Sequence, residues 1–413
     1  MAKLAIIGGG IIGLACAYYW RKQNQEVVLI DKGNPGEGPS RSNMGWVTPT
    51  LSGPLPGPGM IGTSMKWMFK KDSPLYIKPR AVPFLAPWLI QFMRYCNEQK
   101  YQLACDAGFD ISKDTFQLFD ELADDGVEFE MHRKGLLVLG SNESDLQHKY
   151  EDLKQVERIG LPRPELVTGA ELLKMEPHLK ANLAGALFLP KERHVRPESM
   201  VNGLVDWLRV NGVEMRTNDA VTDIVHNHGR VERVRCNTGW VEADMYLFAA
   251  GAWSSQLMKK LHYSLPIIAG KGYSITYQSP NVKFNHPVYF AKEKAALTPF
   301  DGALRIGGTM ELSGINDEVM SDRVNGIKSS VAKFLSKEIH GSGEVILSGM
   351  RPMTPDSLPV LGGLPNFKNV FVAAGHGGNG LLMSLSTGRI LSDVMSGRDP
   401  GLDVTPFSPQ RFK

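Results

Sequence analysis

After Lys3, the run Leu4-Ala5-Ile6-Ile7 is apolar on every position, so the pattern predicts a short buried strand over Lys3–Ile7. Gly8-Gly9-Gly10-Ile11-Ile12-Gly13 interrupts it, a helix is expected from Ile12 to Gln23, and Glu26–Ile30 reads as a second, β-branched strand ending at Asp31. Strand, glycine turn, helix and strand in about thirty residues make a βαβ unit at the start of the chain. From Pro35 to Pro58 the periodicity vanishes into Gly, Pro and Ser, the composition of a long functional loop. Aromatic-rich helical sequence is expected from about Met60 to Asp125, a strand over Gly135–Gly140, and charged helices up to about Glu176.

Pro197–Asn211 has the spacing of an amphipathic helix, and Val213–Arg216 reads as a strand. Val231, Val234 and Cys236 then alternate with polar residues, Asn237-Thr238-Gly239 turns the chain, and Val241–Met245 returns as a meander. Tyr246–Ala250 is a buried strand running into Gly251. Strand-like segments fill Pro266 to about Glu311, and a charged helix is expected over Val319–Glu338. The chain closes with a strand over Val370–Ala374, a glycine cluster, and a helix over Gly380–Ser396. Both ends carry sheet-plus-helix nucleotide machinery, while two middle blocks do not. The expected fold class is therefore α/β: a discontinuous Rossmann-like domain made of residues 1–60, 192–262 and 345–413. Residues 61–191 and 263–344 are expected to form an inserted α+β substrate domain with a largely antiparallel sheet.

Composition narrows this picture only slightly. A chain of 413 residues favours two domains. With 42% hydrophobic and 22% charged residues and a net charge of +3, it lacks the basic excess expected of a nucleic-acid binder. Cys16, Cys96, Cys105 and Cys236 are scattered without metal-ligand spacing, as for free thiols in a reducing compartment, and no metal is expected. The uncharged run Leu4–Trp20 and the small residues Ala15-Cys16-Ala17 also fit a secretory signal, but four glycines would weaken the helix of such a segment. A cytoplasmic protein is expected. The basic and aromatic stretch from Lys66 to Met93 leaves open a peripheral contact with a membrane, where electrons would pass to a quinone. It fits equally a helical part of the substrate domain with solvated lysines.

The glycines carry the first chemistry. In Gly8-x-Gly10-x-x-Gly13 the first glycine permits a tight turn, the second admits a pyrophosphate against the backbone, and the third lets helix and strand pack closely. The helix N-terminus then meets the phosphates with unpaired N–H groups, and Asp31 stands where a ribose-binding carboxylate belongs. FAD rather than NAD is expected, because further βα units do not follow. Ser40-Arg41-Ser42-Asn43-Met44-Gly45 offers instead a small polar loop for a diphosphate and a flavin ring. Ala250, Gly251 and Trp253 end a buried strand on small residues, although an ordinary core strand with a turn would look similar. Gly375-His376-Gly377-Gly378-Asn379-Gly380 precedes the last helix, where N–H groups can face negative charge on a flavin.

Together with Gly349-Met350-Arg351-Pro352-Met353-Thr354-Pro355-Asp356, these blocks resemble the D-amino-acid dehydrogenase and glycine/sarcosine oxidase family of FAD enzymes over most of the chain. Met65-Lys66-Trp67-Met68-Phe69 and Lys271-Gly272-Tyr273-Ser274 are similar to the D-amino-acid dehydrogenase branch. The resemblance implies hydride transfer from the Cα of a small amino acid to flavin N5, with D-proline or hydroxy-D-proline among the substrates. Alternatives are an oxygen-using oxidase of glycine or sarcosine and a flavin-holding subunit of a larger dehydrogenase. It also implies that Arg351 grips the substrate carboxylate as a planar, permanently charged fork. Tyr273 and His376 are expected beside it, each equally readable as a core aromatic or a loop hydrogen-bonder. Ile11, Ile12, Lys32, Val221 and Leu381 complete the expected cofactor contacts. Many family members carry a smaller residue than Met44, and glycine-oxidising members often have a second basic residue where this chain has Gly378-Asn379-Gly380.

Overall fold

The structure is a computed structural model that describes residues 1–60, 62, 73–140 and 142–413. The Met65–Phe69 motif, and with it much of the basic and aromatic stretch, lies outside the described residues.

Lys3–Ile7 lies at the middle of a six-stranded sheet. It pairs in parallel with Glu26–Ile30 on one side and Met245–Phe248 on the other. Glu214–Arg216 and Val370–Ala374 extend the parallel array outward, and Val360–Gly363 closes one edge antiparallel. Period-two geometry explains the unbroken apolar run, because a parallel sheet is covered on both faces. Leu4 and Ile6 point into a core built with the helices Ile11–Lys22, Pro197–Val210 and Ser384–Met395. Ala5 and Ile7 point the other way, against a three-stranded meander of Val221–Asn227, Arg230–Cys236 and Gly239–Glu242. Val231 and Val234 share a buried face although three positions apart. Between the pairs His226–Val231 and Val225–Arg233 the register shifts, leaving Glu232 as the extra residue.

The second sheet has nine strands and is largely antiparallel. Its order is Gly343–Met353, Ile268–Gln278, Ala303–Leu312, Ala295–Phe300, Val288–Phe290, Leu136–Gly140, Gly185–Leu189 and Glu165–Thr168. Leu75–Ile77 adds in parallel to Ala303–Leu312. The helix Ser321–Ala332 covers one face through Val324, Ile327 and Val331. The fold class is thus a Rossmann-like α/β unit with an inserted α+β part.

Several expected elements differ. The charged stretch before Glu176 contains the strand Glu165–Thr168, which pairs on one side only and so leaves its polar residues exposed. The stretch expected to be helical from Met60 contains the strand Leu75–Ile77. The loop of residues 35–58 includes the helical turns Pro39–Ser42 and Pro49–Leu51. The last helix starts at Ser384, not at Gly380; residues 380–383 form turns that follow the positive-φ glycines Gly375 and Gly377. Gly343–Met353 pairs with Ile268–Gln278 along its whole length, so a domain boundary at 345 falls inside a strand of the large sheet.

Candidate functional site

A cavity of about 1430 Å³ lies along the C-terminal ends of the parallel strands and against the large sheet. Its nucleotide end is built mostly from backbone. Gly8 has φ +114°, and a Cβ there would sit 2.4 Å from the Ala249 carbonyl oxygen. A Cβ on Gly13 would be 1.9 Å from the Gly8 oxygen, so Gly13 holds strand and helix together without reaching the cavity. Gly10, Ile11 and Ile12 do line it. The Ile11 N–H, at the helix start, donates to Ser40 Oγ at 2.9 Å. Asp31 accepts the Gly9 N–H at 2.6 Å on one oxygen and the Gly33 N–H at 2.8 Å on the other. Lys32 Nζ stands 3.5 Å from the Trp253 ring centroid, a cation–π pair at the wall beside Ala250, Gly251 and Val221.

Ser40, Ser42, Asn43 and Met44 also line the cavity, whereas Arg41 and Gly45 do not. Arg41 turns outward to Asn202, and a Cβ on Gly45 would meet the Val195 carbonyl at 2.0 Å, so both act as framework. The loop is held from below by a residue that sequence reading missed. Arg305, 1% exposed, donates to the Arg41 carbonyl at 3.0 Å and the Asn43 carbonyl at 2.8 Å. It also donates to Thr276 Oγ1 at 2.8 Å and pairs with Glu198. Thr298, likewise missed, donates to the Met44 carbonyl and accepts the Trp46 indole N–H. Thr276, Thr298 and Arg305 stand on three strands of the large sheet and Glu198 on the helix Pro197–Val210, so only the tertiary fold brings them under the loop.

At the other end Arg351 projects beside Gly272, whose missing side chain makes room for the guanidinium. Its Nη1 donates to the Thr309 carbonyl at 2.9 Å, and no carboxylate of the described residues lies within 4 Å. Burial pulls it down to about 10, which leaves it cationic at neutral pH. Tyr273 borders the cavity, but its hydroxyl is committed: it donates to Glu311 at 2.6 Å, and Glu311 pairs with the fully buried Lys271 at 3.3 Å. That proton is therefore spent within the sheet, the position of the core aromatic that the sequence allowed equally. His376 is buried with Nε2 3.0 Å from Thr387 Oγ1, and its Nδ1 has no partner among the described residues. Burial pulls the imidazole down to about 3, so it is neutral. Gly377, Gly378, Asn379, Gly380 and Leu381 continue this wall. Gly375 stays behind it, where a Cβ would be 2.6 Å from Thr354 Cγ2. A further wall, also missed, comes from Tyr101, Cys105 and Phe109 on one face of the helix Glu98–Ser112. Outside the cavity, Glu130, His132 and Asp301 bring ligating atoms within 4.8 Å of one another, but Arg196 already meets the Glu130 carboxylate at 3.4 Å.

The fold and this cavity define a dinucleotide-binding flavoprotein. A cofactor fits the cradle: the Gly10 backbone faces it, and Cβ positions on Gly251 and Gly378 open onto free space. Residues 3–394 match the family model described as FAD dependent oxidoreductase, and the chain belongs to that family. It is 31% identical over 417 aligned positions to the D-amino acid dehydrogenase of Bradyrhizobium diazoefficiens, with 99% of each chain covered. Among solved structures it is similar to glycine oxidase from Geobacillus kaustophilus, with a TM-score of 0.77 and 26% identity, covering 100% of this chain and 99% of that one. L-proline dehydrogenase from P. horikoshii shares the fold, with a TM-score of 0.76 and 19% identity over 100% and 97% of the two chains. The protein is an FAD-dependent oxidoreductase.

Proposed function

We propose that this enzyme oxidises the carbon–nitrogen bond of a small D-amino acid, cyclic substrates such as D-proline or hydroxy-D-proline included. The observation that carries the reading is Arg351, a cation at the cavity wall with no carboxylate of the described residues beside it. A buried guanidinium without a counter-ion is costly, and a bound substrate carboxylate would supply one through a bidentate contact. Such a contact fixes where the substrate Cα lies, which is the main help a protein gives in this chemistry. FAD, when bound, supplies the acceptor for the Cα hydride. Gly8, Gly10, Asp31, the Ser40–Met44 loop and the Gly377–Leu381 wall would hold it. The D-configuration draws support from the full-length similarity to a D-amino acid dehydrogenase.

A second reading, a glycine- or sarcosine-type oxidase, is favoured by the similarity to the Geobacillus enzyme. No helix of the described residues is long and apolar enough to cross a membrane. Along the helix Val82–Tyr95, Phe84, Ile90 and Met93 are exposed, with the exposed Arg80 and Arg94 in the same stretch, a mixture that supports a peripheral membrane contact.

The test is anaerobic bleaching of the purified flavoprotein against D- and L-alanine, D- and L-proline, hydroxy-D-proline, glycine and sarcosine. Bleaching by the D-amino acids is expected. Bleaching by glycine or sarcosine alone, followed by rapid reoxidation in air, would move the enzyme to the second reading. A bound flavin that bleaches only when other chains are added would make it a subunit of a larger dehydrogenase.

A further inference from the structure

We propose that Thr50 and Glu192 form a relay that removes the proton from the substrate ammonium before hydride transfer; the proposal rests on the amine-oxidation reading above. The chemical need is general. An amino acid reaches a neutral active site as an ammonium ion, and its Cα can give up a hydride only when the nitrogen lone pair is free to form the C=N bond. One proton therefore has to leave, and something close to the cavity has to take it.

The carboxylates at the nucleotide end are already engaged. Asp31 accepts two backbone N–H groups, and Glu37 is bonded to Asn34. His376, held down to about 3, is a weak base. Thr50 differs: it lines the cavity, and behind it stands Glu192, 1% exposed. One carboxylate oxygen of Glu192 accepts both the Thr50 hydroxyl and, at 3.3 Å, the Thr50 N–H, while the other has no partner among the described residues. Among the described residues no cation pairs with it. Arg193 is paired with Asp120, His194 stacks on His132, and Lys134 is an exposed neighbour of the Gly135 N–H that bonds the Glu192 carbonyl. Burial pushes Glu192 up to about 8, against the lowering by its two Thr50 hydrogen bonds. A glutamine could make those bonds at no charge cost, so a glutamate here is explained by a proton that comes and goes.

In the transfer, an N–H bond of the ammonium breaks and its proton goes to Thr50 Oγ1. The hydroxyl proton of Thr50 moves at the same time to Glu192. The products are a neutral amine and a neutral carboxylic acid, with no electron exchanged. A positive and a negative charge disappear together, which a low-dielectric pocket favours.

The experiment is the pH dependence of anaerobic flavin bleaching by an amino acid that bleaches the wild type, in the wild type and in Glu192→Gln, Thr50→Val and Thr50→Ser. In the wild type the rate should rise with pH through about 8, as Glu192 ionises. Glu192→Gln and Thr50→Val should each lose that limb, fall roughly 10²-fold below the wild type at about pH 8, and recover only as the pH rises through the substrate amine's own ionisation. Thr50→Ser should keep the wild-type profile. Above about pH 8, where Glu192 starts ionised, a carboxylic-acid C=O stretch should appear on substrate binding in the wild type and be missing in Glu192→Gln. If Glu192→Gln fails to retain flavin, the Thr50 pair carries the same test. Variants whose profiles run parallel to the wild type would overturn the relay alone. A wild type bleached by no amine would overturn the amine-oxidation reading and the relay with it.

Discussion

Two arginines flank the strand Ile268–Gln278 of the large sheet, and they are treated in opposite ways. Arg305, on Ala303–Leu312, spends its guanidinium on Glu198, Thr276 and the carbonyls of Arg41 and Asn43 in the cavity-lining loop. Arg351, on Gly343–Met353, has one backbone carbonyl and no acidic partner among the described residues. Both are desolvated, and burial lowers both, yet only one is satisfied by the protein itself. A buried charge that the fold neutralises is framework, because its removal strands the partner. A buried charge that the fold leaves open at a cavity wall is kept for something that arrives later. Counting partners thus separates the two where sequence alone treats them as the same residue type.

The sharpest way to break this comparison is to truncate both. Arg305→Ala should cost about 3–5 kcal/mol of stability, since Glu198 loses its cation and the carbonyls of Arg41 and Asn43 lose their donors. Thermal unfolding would read the loss, and flavin release should accompany it because the loop loses its anchor. Arg351→Ala should do the reverse. Flavin content and Tm should stay close to the wild type, while kcat/KM for a bleaching amino acid falls by about 2–5 kcal/mol of transition-state stabilisation. An Arg351→Ala variant with unchanged kinetics would remove the clamp from the mechanism.

The same contrast governs what a reader of the sequence can see. At the nucleotide end, function is carried by backbone, and glycines at short spacing announce it: Gly8, Gly10, Gly13 and Asp31 stand within one βαβ unit. Arg351 was singled out through the block around it, and the structure places it at the cavity wall. Arg305, Thr298 and Glu192 were not singled out, because each meets its partner only through tertiary packing over more than a hundred positions: Arg305 reaches Arg41 over 264 residues and Glu192 reaches Thr50 over 142. Tyr273 was visible as a residue but not in its role. Its motif partner Lys271 lies on the same face of the strand and pairs with Glu311, which draws the hydroxyl there. The start of the last helix was misjudged for a local reason. Glycines resist helical geometry, so regular structure begins only at Ser384.

Tyr273→Phe sharpens the comparison at smaller amplitude. It removes the one hydroxyl bonded to Glu311 and leaves the Lys271 pair, so stability should fall by about 1–3 kcal/mol. The Michaelis constant should move little, since the hydroxyl does not serve the substrate. A large rise in KM at unchanged stability would restore Tyr273 to the substrate site.

The smallest effect is set by pH. His376 and His194 are buried, and burial pulls each down to about 3 from an ordinary value near 6.5. Between these two values the unfolded chain binds a proton at each histidine and the folded chain does not. Stability is therefore full above about pH 6.5 and declines as the pH falls toward 3, by on the order of 1 kcal/mol per pH unit for each histidine. Glu192 works in the other direction: its folded value is raised to about 8, so its contribution is present at low pH and is lost as the pH rises from about 4.5 to 8. The two trends overlap and oppose each other between about pH 4.5 and 6.5, where Glu192 offsets the decline of one histidine. Denaturant unfolding from about pH 6.5 to about pH 5 should show a net decline of about one histidine's worth, and His376→Gln should leave the curve nearly flat there while leaving the Arg305 anchor intact. An equally steep decline in His376→Gln would mean that the imidazole is protonated in the folded state, and that its free Nδ1 is not held neutral at the cavity wall.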